Sequence, residues 1–317
     1  MPLRLLQIGF IRSGNYWLWK TLQTVFRLTG LEQRSFIKNQ PIYHVAQHWD
    51  LCFPEQAEVD VLEIYPTQCF YSIPPVFRMA IEDIQSYLGE TTHVWTHSDW
   101  NKGSEKIFSE FDKIIYIVRD PRDVFLSIRK FYQTPLLRKF SLLGPQGLGK
   151  DFENHLTSHF RSWGRHVAQY LLVRERFNIF FLFYERLLHH WEEEISRLLN
   201  YLEIPLDRAS LQTLKEETRY DQMKKKSPHH LRRGKWGEWE KVFPERKKRL
   251  VFQTIGPLLQ LLNYPFDSKT LFERLSPHVP KNSNGAIQSA LKHLERKQPE
   301  EIIQFAGRIL KNPRHYF

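Results

Sequence analysis

Four short stretches of this chain carry side chains able to do chemistry on an anion. The first is Arg12-Ser13-Gly14-Asn15-Tyr16-Trp17-Leu18. The second is Thr96-His97, a histidine closing a β-rich segment. The third is Arg119-Asp120-Pro121-Arg122-Asp123, with Ser127 beyond it. The fourth, Arg232-Arg233-Gly234-Lys235-Trp236-Gly237-Glu238-Trp239, sets two arginines against two glycines and two tryptophans. Arginine supplies a permanent charge with a donor fork, and glycine lets a backbone approach a ligand closely. A histidine neutral at pH 7 can accept a proton. Such a set suits gripping one compact anion beside a general base. The doublets His189-His190 and His229-His230 lack metal-ligand spacing, as do Cys52 and Cys69, so no metal is assigned.

The elements that must position these residues follow from hydrophobic pattern. Residues 5–10 form an apolar run that reads as a buried strand. A helix begins near Asn15, with Leu18, Leu22, Val25 and Phe26 on one side. Strand, Ser-Gly turn and helix N-terminus together hold phosphate, because backbone N–H groups and the helix dipole face the anion. The loop lacks the Gly-x-x-x-x-Gly-Lys-Ser/Thr pattern of nucleoside triphosphate hydrolases, so a phosphate-like group fits it better than the triphosphate of ATP. An ordinary turn with an exposed arginine is the plainer alternative. Residues 92–96 place His97 at the C-terminal end of a strand, the edge at which open parallel sheets bind ligands. Residues 114–118 form another strand, running into a helix that opens on Pro121 with acidic residues in its first turn. Arg119 thereby shares a sheet edge with Arg12, and Ser127 lies on the following helix. Ion-paired Arg-Asp neighbours account for part of this pattern, but not for two strand-to-helix turns that each carry arginine.

Residues 31–90 read as irregular and rich in aromatics, ending in a helix over 75–88. The stretch 133–150 mixes apolar residues with Gly and Pro, as a flap over a pocket or a surface loop would. A long helix is expected over 152–176, a strand over 178–183 ending in Tyr184-Glu185-Arg186, and a helix over Trp191–Leu202 stopped before Pro205. Past Tyr264 a linker at 277–285 precedes two short amphipathic helices, 286–296 and 299–310. This tail suits a packed appendage, a homodimer contact or a substrate lid. The expected organisation is an α/β domain over 1–265 and a helical extension over 266–317.

The chain has 317 residues, 41% of them hydrophobic, enough for a full core. Its net charge of +11 favours an anionic partner. No nucleic-acid fold motif accompanies the basic run from Lys224, so a small ligand is preferred to a polynucleotide. Two cysteines suggest a reducing compartment. Arg4, Gln7 and Arg12 break any signal-peptide pattern, and no apolar run reaches the roughly 18 residues of a membrane span. A cytoplasmic protein is expected.

Taken in order, the four blocks resemble those of soluble, cytosolic-type sulfotransferases that use 3′-phosphoadenosine 5′-phosphosulfate (PAPS). The resemblance runs from about Leu3 to Tyr264, with weaker echoes at Ser162-Trp163, Tyr184-Glu185 and 218–223. It implies a central parallel sheet flanked by helices on both faces, with a P-loop-like strand-loop-helix. It implies that Arg12, Ser13, Gly14, Asn15 and Tyr16 hold the 5′-phosphosulfate, Arg12 also neutralising the leaving phosphate, and that Trp17 stacks on adenine. Arg119, Ser127, Arg232, Arg233 and Gly234 would grip the 3′-phosphate, while Tyr184, Thr218, Tyr220 and Met223 surround the adenosine. His97 would take the proton from an acceptor hydroxyl (less readily an amine) on a small molecule, lipid or glycan. Three positions depart from the family pattern. Arg12 and Trp95 stand where lysine is usual, and Arg233 where lysine is common. A non-catalytic nucleotide sensor or scaffold, and a small-molecule kinase of the same architecture, are the rival readings. The missing Walker-type lysine argues against the kinase.

Overall fold

The computed structural model describes residues 2–140, 156–227, 234–265 and 277–295. Arg232, Arg233, most of the expected flap and the second tail helix lie outside the described residues. The strands are β1 Leu5–Gly9, β2 Asp60–Ile64, β3 Cys69–Ile73, β4 Phe77–Ala80, β5 His93–Thr96, β6 Lys113–Val118 and β7 Ile179–Phe183. The helices are α1 Asn15–Thr29, α2 Pro41–Ala46, α3 Ile84–Gly89, α4 Lys102–Phe108, α5 Pro121–Phe131, α6 Pro135–Phe140 and α7 Leu156–Val173. They continue with α8 Tyr184–His189, α9 Trp191–Leu202, α10 Arg208–Glu217, α11 Tyr220–Lys226, α12 Glu238–Val242, α13 Glu245–Leu261 and α14 Asn284–Glu295. These residues fall into two compact units, Met1–Asp120 with Val173–Trp236, and Pro121–Leu172 with Gly237–Phe317.

The first unit holds one seven-stranded sheet in the order β4-β3-β2-β5-β1-β6-β7, flanked by helices. Strands β2, β5, β1, β6 and β7 are parallel, and β3 and β4 add antiparallel at one edge. From β1 the chain crosses to β2, β3 and β4 on one side and returns through β5, then passes β1 to β6 and β7 on the other. The strand order thus reverses beside β1, which makes its end a switch point for ligands. Register aligns the strand ends there: Ile8 faces Thr96, Gly9 faces Ile117, and Val118 faces Phe183. All five residues of β1 are buried, and so are Leu18, Leu22, Val25 and Phe26 on one stripe of α1. They join Leu5, Ile115, Ile117 and Trp95 in one apolar cluster.

The structure departs from the sequence pattern in three places. Residues 31–90 are not irregular but contribute β2, β3, β4 and α3, and the helix expected over 75–88 is β4 followed by the shorter α3. Strands of four or five residues gain their stability from cross-strand neighbours, which no local pattern displays. Residues 135–140 are also helical rather than loop.

In the second unit the arginine-aspartate run holds structure. Asp123 accepts from the backbone N–H of Gly237 at 2.6 Å and of Trp239 at 3.2 Å. Arg122 lies over the Trp239 ring at 3.7 Å and donates to the Pro265 carbonyl at 2.6 Å. The tail helix α14 packs on α13, and His293 donates to the Gln253 carbonyl at 2.9 Å. A side chain at Gly164 of α7 would stand 3.0 Å from Leu294.

Candidate active site

Backbone geometry defines the first loop. Arg12 (φ 64°) and Gly14 (φ 100°) both adopt left-handed conformations between β1 and α1. For arginine this costs about 1–2 kcal/mol, and such turns build anion-binding concavities. Asn15 locks the loop: its Nδ2 donates to the Phe10 carbonyl at 2.8 Å, and its own carbonyl accepts from Gln7 Nε2 at 2.8 Å. Gly9 admits Asn15, because a β-carbon there would come within 2.2 Å of Asn15 Oδ1. Gly14 admits Tyr184, whose ring would lie 2.6 Å from such an atom.

Ser13 Oγ, Asn15 Oδ1 and Trp17 Nε1 are buried without a hydrogen-bond partner among the described residues. Buried polar atoms are normally satisfied, so three orphans at one helix N-terminus fit a polar ligand arriving there. A hydroxyl, an amide oxygen and an indole N–H there offer such a ligand both donors and an acceptor.

Arg119, at the end of β6, is 8% exposed. It donates to the Arg12 carbonyl at 3.2 Å and the Lys235 carbonyl at 3.3 Å, and lies over the Tyr184 ring at 4.1 Å. Tyr184 opens α8 just past β7 and meets Trp17 edge-on, with ring centroids 5.6 Å apart. Met223 shares their apolar cluster. Gly234 (φ 59°) presses on the Tyr220 ring, and Thr218 is buried at the end of α10, its hydroxyl on the Leu214 carbonyl at 2.7 Å. Arg12, Ser13, Gly14, Trp17, Arg119 and Tyr184 are thus brought together. Ser127 lies on α5 of the second unit.

Behind Arg119, Asp120 accepts from the Trp236 indole at 3.2 Å, and its backbone N–H donates to Glu185 Oε1 at 2.8 Å. Burial and the Asp120 charge push the Glu185 carboxyl up to about 8.

His97 follows β5. Its Nδ1 donates to the Gly9 carbonyl at 2.5 Å, which leaves Nε2 with its lone pair. Burial and the charge of Arg12 push its pKa down to about 4, against the pull of the Gly9 bond. Trp95, two residues earlier, meets the His97 ring edge-on at 5.4 Å. Phe53 lies 6.4 Å from Trp95 and 4.4 Å from Tyr16. The Trp95 indole N–H is a further buried donor lacking a partner among the described residues.

Sequence reading missed Glu55 and Ser227. Tyr16 donates to Glu55 Oε2 at 3.0 Å, Lys20 donates to Glu55 Oε1 at 2.8 Å, and Ser227 donates to the Tyr16 hydroxyl at 3.4 Å. No motif signals them, since Glu55 and Ser227 stand 39 and 211 residues from Tyr16. Among the described residues no cluster of metal-ligating side chains occurs.

The sequence model of the sulfotransferase domain matches residues 4–262, and the chain belongs to that family. Rat sulfotransferase 2A1 is 29% identical over 167 residues, covering 47% of this chain and 57% of the relative. Human sulfotransferase 4A1 is 29% identical over 134 residues, 41% of this chain and 46% of the relative. The chain therefore aligns with about half the length of these relatives. Among solved structures, mouse sulfotransferase SULT7A1 complexed with PAP superposes with a TM-score of 0.54 at 16% identity, covering 81% of this chain and 84% of that one. Retinol dehydratase in a complex with retinol and PAP gives 0.53 at 20% identity, with 82% and 83% covered. At such identities these two likenesses concern the fold.

Proposed function

We propose that this protein transfers the sulfuryl group of PAPS to a hydroxyl of an organic acceptor and releases adenosine 3′,5′-bisphosphate (PAP). The observation that carries the reading is the His97–Gly9 hydrogen bond, which fixes a tautomer with a free Nε2 at the switch point beside the Arg12 loop. In this reading Nε2 takes the acceptor proton as the hydroxyl oxygen bonds to sulfur. The S–O bond to the 5′-phosphate breaks, and Arg12 with the loop N–H groups stabilises the charge left on that phosphate. Transfer of this kind asks mainly for positioning and charge stabilisation. Arg119, Tyr184, Thr218, Tyr220, Met223 and Gly234 hold the nucleotide, and Ser127, Arg232 and Arg233 are further candidates for its 3′-phosphate. The main domain spans 1–265. Small-molecule, lipid and glycan hydroxyls all suit as acceptors. Retinol bound to retinol dehydratase favours a partly apolar one. The free Cys52 and Cys69 suit a cytoplasmic location.

Thermal stabilisation by PAP, compared with AMP and ATP, tests the reading. At a hundred times its dissociation constant PAP stabilises by about 2.7 kcal/mol. A shift with PAP alone, abolished in Arg119→Ala, is expected. Stabilisation by ATP with Mg²⁺ but not by PAP would make the kinase reading the better one. PAP binding without transfer of labelled sulfate to any of a broad acceptor panel would favour a sensor.

A further inference from the structure

The Tyr16 hydroxyl stands between two groups of residues that the proposed reaction uses separately. On one side is Glu55, in the segment that carries Cys52 and Phe53. Phe53 touches the rings of Tyr16 and Trp95, and Trp95 abuts His97. Cys52 feels the charge of Arg12. This is the acceptor side. On the other side is Ser227, 1% exposed, which closes α11 by donating its N–H to the Met223 carbonyl at 2.9 Å. That helix also carries Tyr220, pressed against Gly234, and the reading above gives it to the nucleotide.

The hydroxyl is donor to Glu55 and acceptor from Ser227, so one oxygen ties the two segments to α1. Burial disfavours the Glu55 charge. Lys20 at 2.8 Å outweighs that and holds the carboxyl below its ordinary range, so it accepts from Tyr16 as an anion. Burial pushes the Tyr16 phenol well above its ordinary range, so it keeps its proton to donate. A bond to a charged acceptor is among the stronger ones, and breaking one member leaves buried polar atoms unsatisfied.

We infer that Glu55 and Ser227 are positioning residues that couple the acceptor side of the site to the nucleotide side through the Tyr16 hydroxyl. The inference rests on the sulfotransferase reading. Coupling between sites is reciprocal, so a change on the acceptor side must appear in nucleotide affinity.

Calorimetric titration with PAP tests this without knowledge of the acceptor. The proteins are wild type, Tyr16→Phe, Glu55→Ala, Glu55→Gln, Ser227→Ala and the two double variants that combine Tyr16→Phe with Glu55→Ala or with Ser227→Ala. Glu55→Ala should weaken PAP by about threefold to tenfold, the range of one net hydrogen bond. Glu55→Gln, which keeps an oxygen for Tyr16, should recover most of that. In the Tyr16→Phe background neither Glu55→Ala nor Ser227→Ala should weaken PAP further. Unchanged PAP affinity in Glu55→Ala, or the same loss with and without the hydroxyl, overturns the coupling while leaving the sulfotransferase reading intact. Wild type that fails to bind PAP removes both. If Glu55→Ala does not fold, the Ser227→Ala cycle and Glu55→Gln decide the question alone.

Discussion

The Gly9 carbonyl accepts the Nδ1–H of His97 at 2.5 Å, joining the last residue of β1 to the first residue after β5. Since β1 and β5 are adjacent and parallel, the bond orients the imidazole from inside the sheet that also launches the loop between β1 and α1. A substitution at His97 therefore removes the proposed base without removing the loop between β1 and α1. His97→Ala should lower turnover by about 10²- to 10⁴-fold while PAP still raises the melting temperature. Loss of both together would show that His97 shapes the nucleotide site. Gly9→Ala is the contrasting case, because its methyl meets Asn15 at 2.2 Å, and it should lose PAP binding as well.

The acid limb of turnover should lie well below pH 6. An ordinary histidine titrates near about 6.5, but burial and Arg12 bring His97 down to about 4. It remains a neutral base across the range where a solvated imidazole would be protonated. An acid limb near pH 6.5 in the free-enzyme profile of kcat/KM would contradict this.

Stability should pass through a maximum near neutrality. Burial depresses His93 to about 3, and His97 and His159 to about 4. Between those values and about 6.5 the unfolded chain binds more protons, so these groups make stability rise with pH. Burial raises Asp60 to about 7, and Glu185 to about 8 with help from Asp120. Over the window from about 4 to those values the folded chain binds more protons, so the carboxyls make stability fall with pH. Three histidines outweigh two carboxyls below about pH 6.5, and above it only the carboxyls act. Urea midpoints from pH 5 to 9 should show this, with a flatter alkaline limb in Glu185→Gln. A monotonic rise to pH 9 would contradict it.

Asp123→Ala should destabilise the chain by about 1–3 kcal/mol, the cost of leaving partners unsatisfied. The Gly237 and Trp239 amides lose their acceptor at the start of α12. Asp123→Asn should recover part of this through its amide oxygen. Chemical denaturation measures both, and a neutral Asp123→Ala would show that the caps are satisfied in another way.

Trp95→Phe should keep most of the stability, since the ring contacts with Phe53 and His97 survive. Trp95→Ala should cost about 3–5 kcal/mol. Trp95→Lys places a cation at a position 6% exposed, close to the imidazole that Arg12 already influences. It should fold less stably than Trp95→Phe under urea. Equal midpoints for the lysine and phenylalanine variants would mean that the position is more open to water than its burial indicates.

What the sequence determined by itself is local. The apolar run of β1, the stripe of α1, the strand β6 feeding Pro121 and the helix Trp191–Leu202 are each written in consecutive residues, because helix and strand periodicities are short. Arg12, His97 and Arg119 were legible for the same reason, each following a readable strand, and Gly14 precedes a readable helix. Tertiary structure alone decided the antiparallel edge, where Phe77–Ala80 becomes a strand only by pairing with Cys69–Ile73. It alone decided that Arg122 and Asp123 brace the Gly237–Trp239 segment. It alone brought Glu55 and Ser227 to the two sides of one hydroxyl. Hydrogen bonds across such separations follow from how the chain packs, and no periodicity records them.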